Sequence, residues 1–131
     1  MKYILVAVLV AIFSIETECI SDAEISLMMK IDQDCMPKSG ATKEMSQRAM
    51  VGDFPDDPVY KKHMLCMTTA MGFFDEAGNY DMDRIHKELD SRIADPAKIS
   101  EILSKCLVEK GSAEEKAFES GKCFYSFRDV L

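Results

Sequence analysis

Apolar residues recur every three or four positions along most of the chain, which is the spacing of amphipathic helices and not the alternation of strands. Two stretches show this spacing most clearly, and each has charged residues on its opposite face. The apolar residues of the first stretch are Met82, Ile85, Leu89 and Ile93, and those of the second are Ile99, Ile102, Leu103, Cys106 and Leu107. The pattern predicts an all-α fold.

Cap and stop residues divide the chain into six predicted helices. Asp57 and Asp95 are each followed by a proline, a pair that is typical of a helix start, and Pro37 is expected to stop the first helix. The predicted helices run from Ser21 to about Met36, from Thr42 to about Met50, from Asp57 to Met71, from Asp81 to Ile93, from Asp95 to Gly111, and from Ser112 towards the carboxyl end.

The amino-terminal segment, residues 1–19, has the features of a secretory signal peptide. Lys2 precedes an uninterrupted apolar run from Tyr3 to Phe13, which is too short to cross a bilayer. Small residues allow cleavage after Cys19 or after Ser21. We therefore expect residues 20–131 to form one helical domain in extracellular fluid. No later stretch is long and apolar enough to be a membrane helix, so no membrane span is predicted.

Removal of Cys19 leaves four cysteines, which are Cys35, Cys66, Cys106 and Cys123. An even set in a small secreted domain favours two disulfides. The four residues allow three pairings, and their positions alone do not choose among them. Pairing in chain order would constrain the unfolded chain by about 3 kcal/mol for each bridge.

Charge and motif content exclude several classes of function. The formal net charge of −7 argues against nucleic acid and anionic membranes as partners, because neither would gain contacts to its phosphates. The two histidines, His63 and His86, lie in no nucleophile, phosphate-loop or zinc motif and are expected at helix edges. The sequence thus predicts no enzyme, no cofactor and no metal site.

The signal peptide, the six-helix punctuation and the cysteine spacing resemble the insect odorant-binding proteins, specifically the subgroup with four cysteines in place of six. In the family pattern a second cysteine stands four positions before the third, and a fifth stands nine positions before the sixth. Lys62 and Glu114 occupy those two sites here, which would bring opposite charges together.

The resemblance implies a compact disulfide-stapled fold around an internal apolar pocket, with bridges from Cys35 to Cys66 and from Cys106 to Cys123. It also implies carriage of small hydrophobic molecules, such as odorants or pheromones, through aqueous fluid. A homodimer and a membrane receptor remain possible partners. The alternative from another class is a secreted signalling or venom-type interaction protein with a filled helical core.

Ten methionines in 131 residues favour an adaptable cavity, because unbranched thioethers reshape at low cost. For any one of these side chains taken singly, a place in a filled core is the simpler interpretation. The residues expected to line the pocket are Leu27, Ile31, Met50, Met64, Met67, Met71, Phe73, Phe74, Leu103, Leu107, Phe118, Phe124 and Phe127. The apolar tail Phe127, Val130 and Leu131 is expected either to fold over the pocket mouth or to cap the sixth helix.

Overall fold

The computed structural model describes residues 21–131, and the predicted signal peptide lies outside this part of the chain. The described residues form six α-helices, which confirms the all-α prediction. The helices are α1 (Asp22–Ser39), α2 (Lys43–Met50), α3 (Pro58–Ala70), α4 (Met82–Arg92), α5 (Pro96–Cys106) and α6 (Ala113–Ser126).

The helix starts follow from the predicted caps. Each N-cap side chain accepts a hydrogen bond from a backbone N–H of the first turn, which would otherwise have no partner. Ser21 forms a complete capping box with Glu24, while Asp57 accepts from Val59 directly after the proline start. The remaining N-caps are Thr42, Asp81, Asp95 and Ser112.

The predicted end of α1 at Pro37 was wrong, because the helix continues to Ser39. A proline costs a helix the backbone bond to the residue four positions earlier. Here the following turn is held by other bonds: Ser39 Oγ donates to the Cys35 carbonyl at 3.0 Å, and Gly40 N–H donates to Met36 at 2.9 Å. Gly40, with a φ of 84°, then ends the helix in the left-handed conformation that glycine adopts easily.

Helix α5 ends at Cys106, five residues before the predicted end at Gly111. Leu107 leaves the helix with a ψ of 107°, and Tyr80 supplies bonds to the extended segment that follows. The Tyr80 hydroxyl accepts from Val108 N–H at 2.9 Å and donates to the Val108 carbonyl at 3.0 Å. A side chain from 28 residues away thus replaces the helical bonds of this backbone.

The helices pack around two apolar clusters and two disulfides. The first cluster joins α4 and α5, with residues of α6 and the carboxyl-terminal tail packed against it. The second joins α2, α3 and α6 through Ala49, Tyr60 and Phe118. The bridge Cys35–Cys66 ties α1 to α3, and the bridge Cys106–Cys123 ties α5 to α6. Helix α3 packs against both α1 and α6, so it lies at the centre of the fold.

His63 is fully buried, so its expected position at a helix edge was wrong. Its Nδ1 lies 3.0 Å from Ser39 Oγ, and its Nε2 lies 2.8 Å from Asp32 Oδ1. Ser46 Oγ also donates to Asp32 Oδ1, at 2.7 Å. This polar cluster (Asp32, Ser39, Ser46 and His63) joins α1, α2 and α3, with Asp32 at its partly exposed edge.

The expected contact between Lys62 and Glu114 is replaced by a contact between their neighbours. Lys61 Nζ lies 2.9 Å from Glu115 Oε1 and so joins α3 to α6, and it also pairs with Asp56. Those two carboxylates, with Asp56 contributing more, raise the pKa of Lys61. Among residues 21–131, Lys62 and Glu114 form no ion pair with each other.

Candidate ligand-binding site

Helix α3 and the residue that follows it present a line of three methionines. Met64, Met67 and Met71 recur at intervals of three and four residues, and all three are half-buried. Thr68 lies among them and is buried, but its hydroxyl donates to the Met64 carbonyl at 2.8 Å. The hydroxyl is therefore already satisfied, and this part of α3 offers an apolar, deformable surface.

Half-buried aromatic and leucine side chains form a second apolar surface against the first cluster. Partial exposure at such large side chains leaves apolar area that is not used by packing within the described chain. These residues are Phe73 after α3, Leu103 and Leu107 on and after α5, and Phe124 and Phe127 on and after α6.

Gly121 sets how closely α6 approaches the methionines. A Cβ atom at this position would lie 2.4 Å from Met64 Cε, so the glycine leaves the space that the end of Met64 occupies. Because the end of a methionine side chain moves easily, this contact adjusts at low cost. The wall between α3 and α6 is thus built from a flexible side chain over a glycine.

Four of the thirteen predicted pocket residues are not half-buried: two are exposed to solvent and two are fully buried. Leu27 is 57% exposed on α1, and Met50 is 74% exposed at the end of α2, in solvent. Phe118 is 1% exposed and packs edge-on against Tyr60 in the second cluster. Phe74 is 4% exposed and packs against the Tyr80 ring at a centroid distance of 4.7 Å. Phe118 and Phe74 therefore fill the core and do not line a cavity.

The interior of the described chain holds no unsatisfied polar side chain, because every buried side-chain nitrogen or oxygen of residues 21–131 has a hydrogen-bond partner. Burial of a polar group without a partner is costly, whereas apolar surfaces of this kind favour contact with apolar molecules. The half-buried methionine, leucine and phenylalanine residues are therefore suited to a hydrophobic ligand.

A separate groove of about 210 Å³ opens to solvent between α4 and α5. Ile99 and Leu103 form its floor, and His86, Asp90 and Ser100 lie at its polar rim. Its volume is below the roughly 300 to 1,000 Å³ of typical ligand pockets. Leu103 also packs against the first cluster, so this side chain is shared between the groove and that cluster.

Arg92 connects three parts of the chain at the end of α4. Its Nε donates to Glu88 at 2.7 Å, its Nη2 to Glu24 at 3.1 Å and its Nη1 to the Leu131 carbonyl at 3.4 Å. Hydrogen bonds from Ser21 and the charge of Arg92 lower the pKa of Glu24. Glu88 and Arg92 are four residues apart on one helix, so the sequence alone indicates the bond between them. The contacts of Arg92 with residues 24 and 131 join positions far apart in the sequence, so no sequence pattern predicts them.

The described residues form a small helical domain with two interhelical disulfides and several apolar side chains that are only partly buried. The model of the PBP/GOBP family matches residues 17–126, and the chain belongs to this family. It is 29% identical over 112 residues to the B1 protein of Tenebrio molitor, with 86% of each chain covered. It is 24% identical to general odorant-binding protein 99b of Drosophila melanogaster, over 69% of this chain and 64% of that protein.

Solved structures of insect proteins share the fold. The fatty acid binding protein OBP56a from the oral disk of the blowfly Phormia regina superposes with a TM-score of 0.68 at 16% identity, over 86% of this chain and 98% of that one. Odorant Binding Protein 7 from Anopheles gambiae, solved in complex with an azo compound, gives a TM-score of 0.65 at 23% identity, over 85% and 90% of the two chains. In the described part of this chain, no helix is both long and apolar enough to cross a membrane.

Proposed function

We propose that this protein is a secreted carrier that binds small hydrophobic molecules in an internal pocket and transports them through extracellular fluid. Membership of the PBP/GOBP family supports a carrier in place of an enzyme. The relatives whose names refer to a fatty acid and to an azo compound support a hydrophobic ligand. Two disulfides suit an oxidising compartment outside the cell.

The observation that carries the proposal is the set of half-buried methionines Met64, Met67 and Met71, together with the half-buried phenylalanines and leucines that pack against the first cluster. Met64 packs against the second cluster. These apolar side chains are only partly used by packing among residues 21–131. Burial of apolar surface gives about 25 cal/mol per Å², so roughly 300 Å² of ligand surface provides micromolar affinity. We propose that the pocket wall consists of these residues together with Ile31, and that Met50 is not part of it.

The test is uptake of a dye that fluoresces in apolar surroundings, followed by its displacement with long-chain alcohols. A carrier gives saturable binding of one dye per chain and full displacement. A signalling or venom-type protein with a filled core gives no saturable uptake, and that result would reject the proposal.

Two matched methionine variants locate the site. Met67→Glu places a charge on the proposed wall and should weaken dye binding at least tenfold, about 1.4 kcal/mol. Met50→Glu makes the same change at a side chain that is 74% exposed and should leave affinity unchanged. Circular dichroism checks that both variants fold. Equal affinity of the two folded variants would place the ligand elsewhere.

A further inference from the structure

Helix α1 consists of two halves with different surroundings. From Ile31 onwards its residues pack against the body, and the bridge Cys35–Cys66 and the contact between Asp32 and His63 fix this half to α3. Residues 21–30 are all exposed. Their apolar members, Ile25, Leu27, Met28 and Met29, are between 45% and 57% exposed.

Residues 21–30 of α1 extend from the part of the helix that is bound to α3 to the end of α4. Glu24 lies eleven residues before Cys35, which corresponds to about 16 Å along a helix. At that distance Glu24 meets Arg92, the last residue of α4, and Arg92 also donates to the carbonyl of Leu131. Leu131 packs against the first apolar cluster. The exposed half of α1 therefore spans from α3 to the edge of the cluster that forms the proposed pocket wall.

Within residues 21–131, the pair of Glu24 and Arg92 is the only side-chain hydrogen bond between this half of α1 and another element. Arg92 is well oriented for it, because Glu88 holds its Nε at 2.7 Å. Glu24 is oriented by the capping box, in which Ser21 N–H donates to Glu24 Oε2 at 2.9 Å. Yet the side chains are 27% and 48% exposed, and a bond this exposed is weak and reduced by salt.

We propose that Arg92 acts as a latch that holds the amino-terminal half of α1 across the pocket, and that ligands enter and leave when this latch opens. The latch is defined as the bonds from Arg92 to Glu24 and to the Leu131 carbonyl. The second half of α1, from Ile31 onwards, stays in place when the latch opens, because the disulfide Cys35–Cys66 holds it on α3. Arg92 is a positioning residue, because it holds two chain segments and does not itself contact the ligand. This role rests on the proposed carrier function.

The deciding variant is Glu24→Gln, which removes the charge but keeps a side chain that still completes a capping box. Asp34→Asn is the matched control, because it removes a carboxylate of the same helix that pairs with Lys30 one turn away. Two rates are measured for the purified protein: amide hydrogen exchange of residues 26–30 without ligand, and dye release after rapid mixing with an excess of alcohol.

The latch predicts that Glu24→Gln raises both rates by about two- to fivefold, while Asp34→Asn changes neither. Molar salt should raise both rates in the wild-type protein and have little effect on them in Glu24→Gln. Unchanged exchange of residues 26–30 in Glu24→Gln would overturn the latch. Faster exchange with unchanged dye release would overturn its role in ligand passage. Failure of the wild-type protein to take up dye would reject the carrier function, whereas amide exchange would still decide whether the latch exists.

Discussion

Replacement of His63 tests the polar cluster that holds α1, α2 and α3 together. His63→Leu keeps an apolar side chain of similar size but removes the bonds to Ser39 Oγ and Asp32 Oδ1. A neutral buried hydrogen bond contributes about 1 kcal/mol and one to a carboxylate about 1.5 to 3 kcal/mol. Ser39 keeps its bond to Cys35, and Asp32 keeps its bond to Ser46, so part of this loss is compensated. We expect a net loss of about 2 kcal/mol in the free energy of unfolding.

The assay is urea unfolding followed by circular dichroism, together with a double-mutant cycle. A loss of about 2 kcal/mol corresponds to a melting temperature lower by roughly 8 °C in a domain of this size. Combining His63→Leu with Asp32→Ala should give a coupling energy of about 1 to 2 kcal/mol, since each change alone removes the bond between these two side chains. Asp34→Asn, at an exposed position of the same helix, should cost less than about 0.5 kcal/mol. A coupling energy near zero would refute the cluster as a link between helices.

Two further predictions concern a buried tyrosine and a close backbone contact. Burial, with a smaller contribution from the charge of Asp32, raises the pKa of Tyr60 to about 12. Above about pH 10 the unfolded chain loses this proton while the folded chain keeps it, so stability should fall between about pH 10 and 12, and Tyr60→Phe should reduce that fall. Gly78→Ala should destabilise more than Gly40→Ala in thermal melts. Both glycines have a φ above 80°, but only at Gly78 would the new Cβ lie 2.4 Å from Ala113 Cβ; equal melting temperatures of the two variants would contradict this packing.

The sequence predicted the helix starts well because an N-cap is a local feature. Ser21, Asp57 and Asp81 each satisfy an amide within three residues, so a short window contains the whole interaction. The helix ends were predicted less well. The end of α5 depends on Tyr80, which lies 28 residues from Val108 and therefore does not appear in a local pattern. The continuation of α1 through Pro37 rests on local bonds made by Ser39 and Gly40, which the expectation that proline stops a helix did not take into account.

The candidate site shows the same limit. Periodicity identified the methionines of α3, but it did not separate half-buried Met64 from exposed Met50 or from the fully packed Phe118. His63 was expected at a helix edge because its partners Asp32 and Ser39 come from another helix. The charge pair between α3 and α6 was expected at Lys62 and Glu114 but forms between Lys61 and Glu115. A cysteine pattern indicates where two backbone segments lie close together, but it does not indicate the direction of a long side chain.

Nuclear magnetic resonance of methionine methyl groups tests whether a small hydrophobic molecule binds against the methionines of α3. The protein is labelled at the methionine ε-carbons, assigned by single Met→Leu variants and titrated with a long-chain alcohol. We expect saturable shifts at Met64, Met67 and Met71 with one ligand per chain, and no shift at the 74% exposed Met50. Shifts confined to Met50 and Met82, or no saturable shift at any methionine, would contradict this expectation.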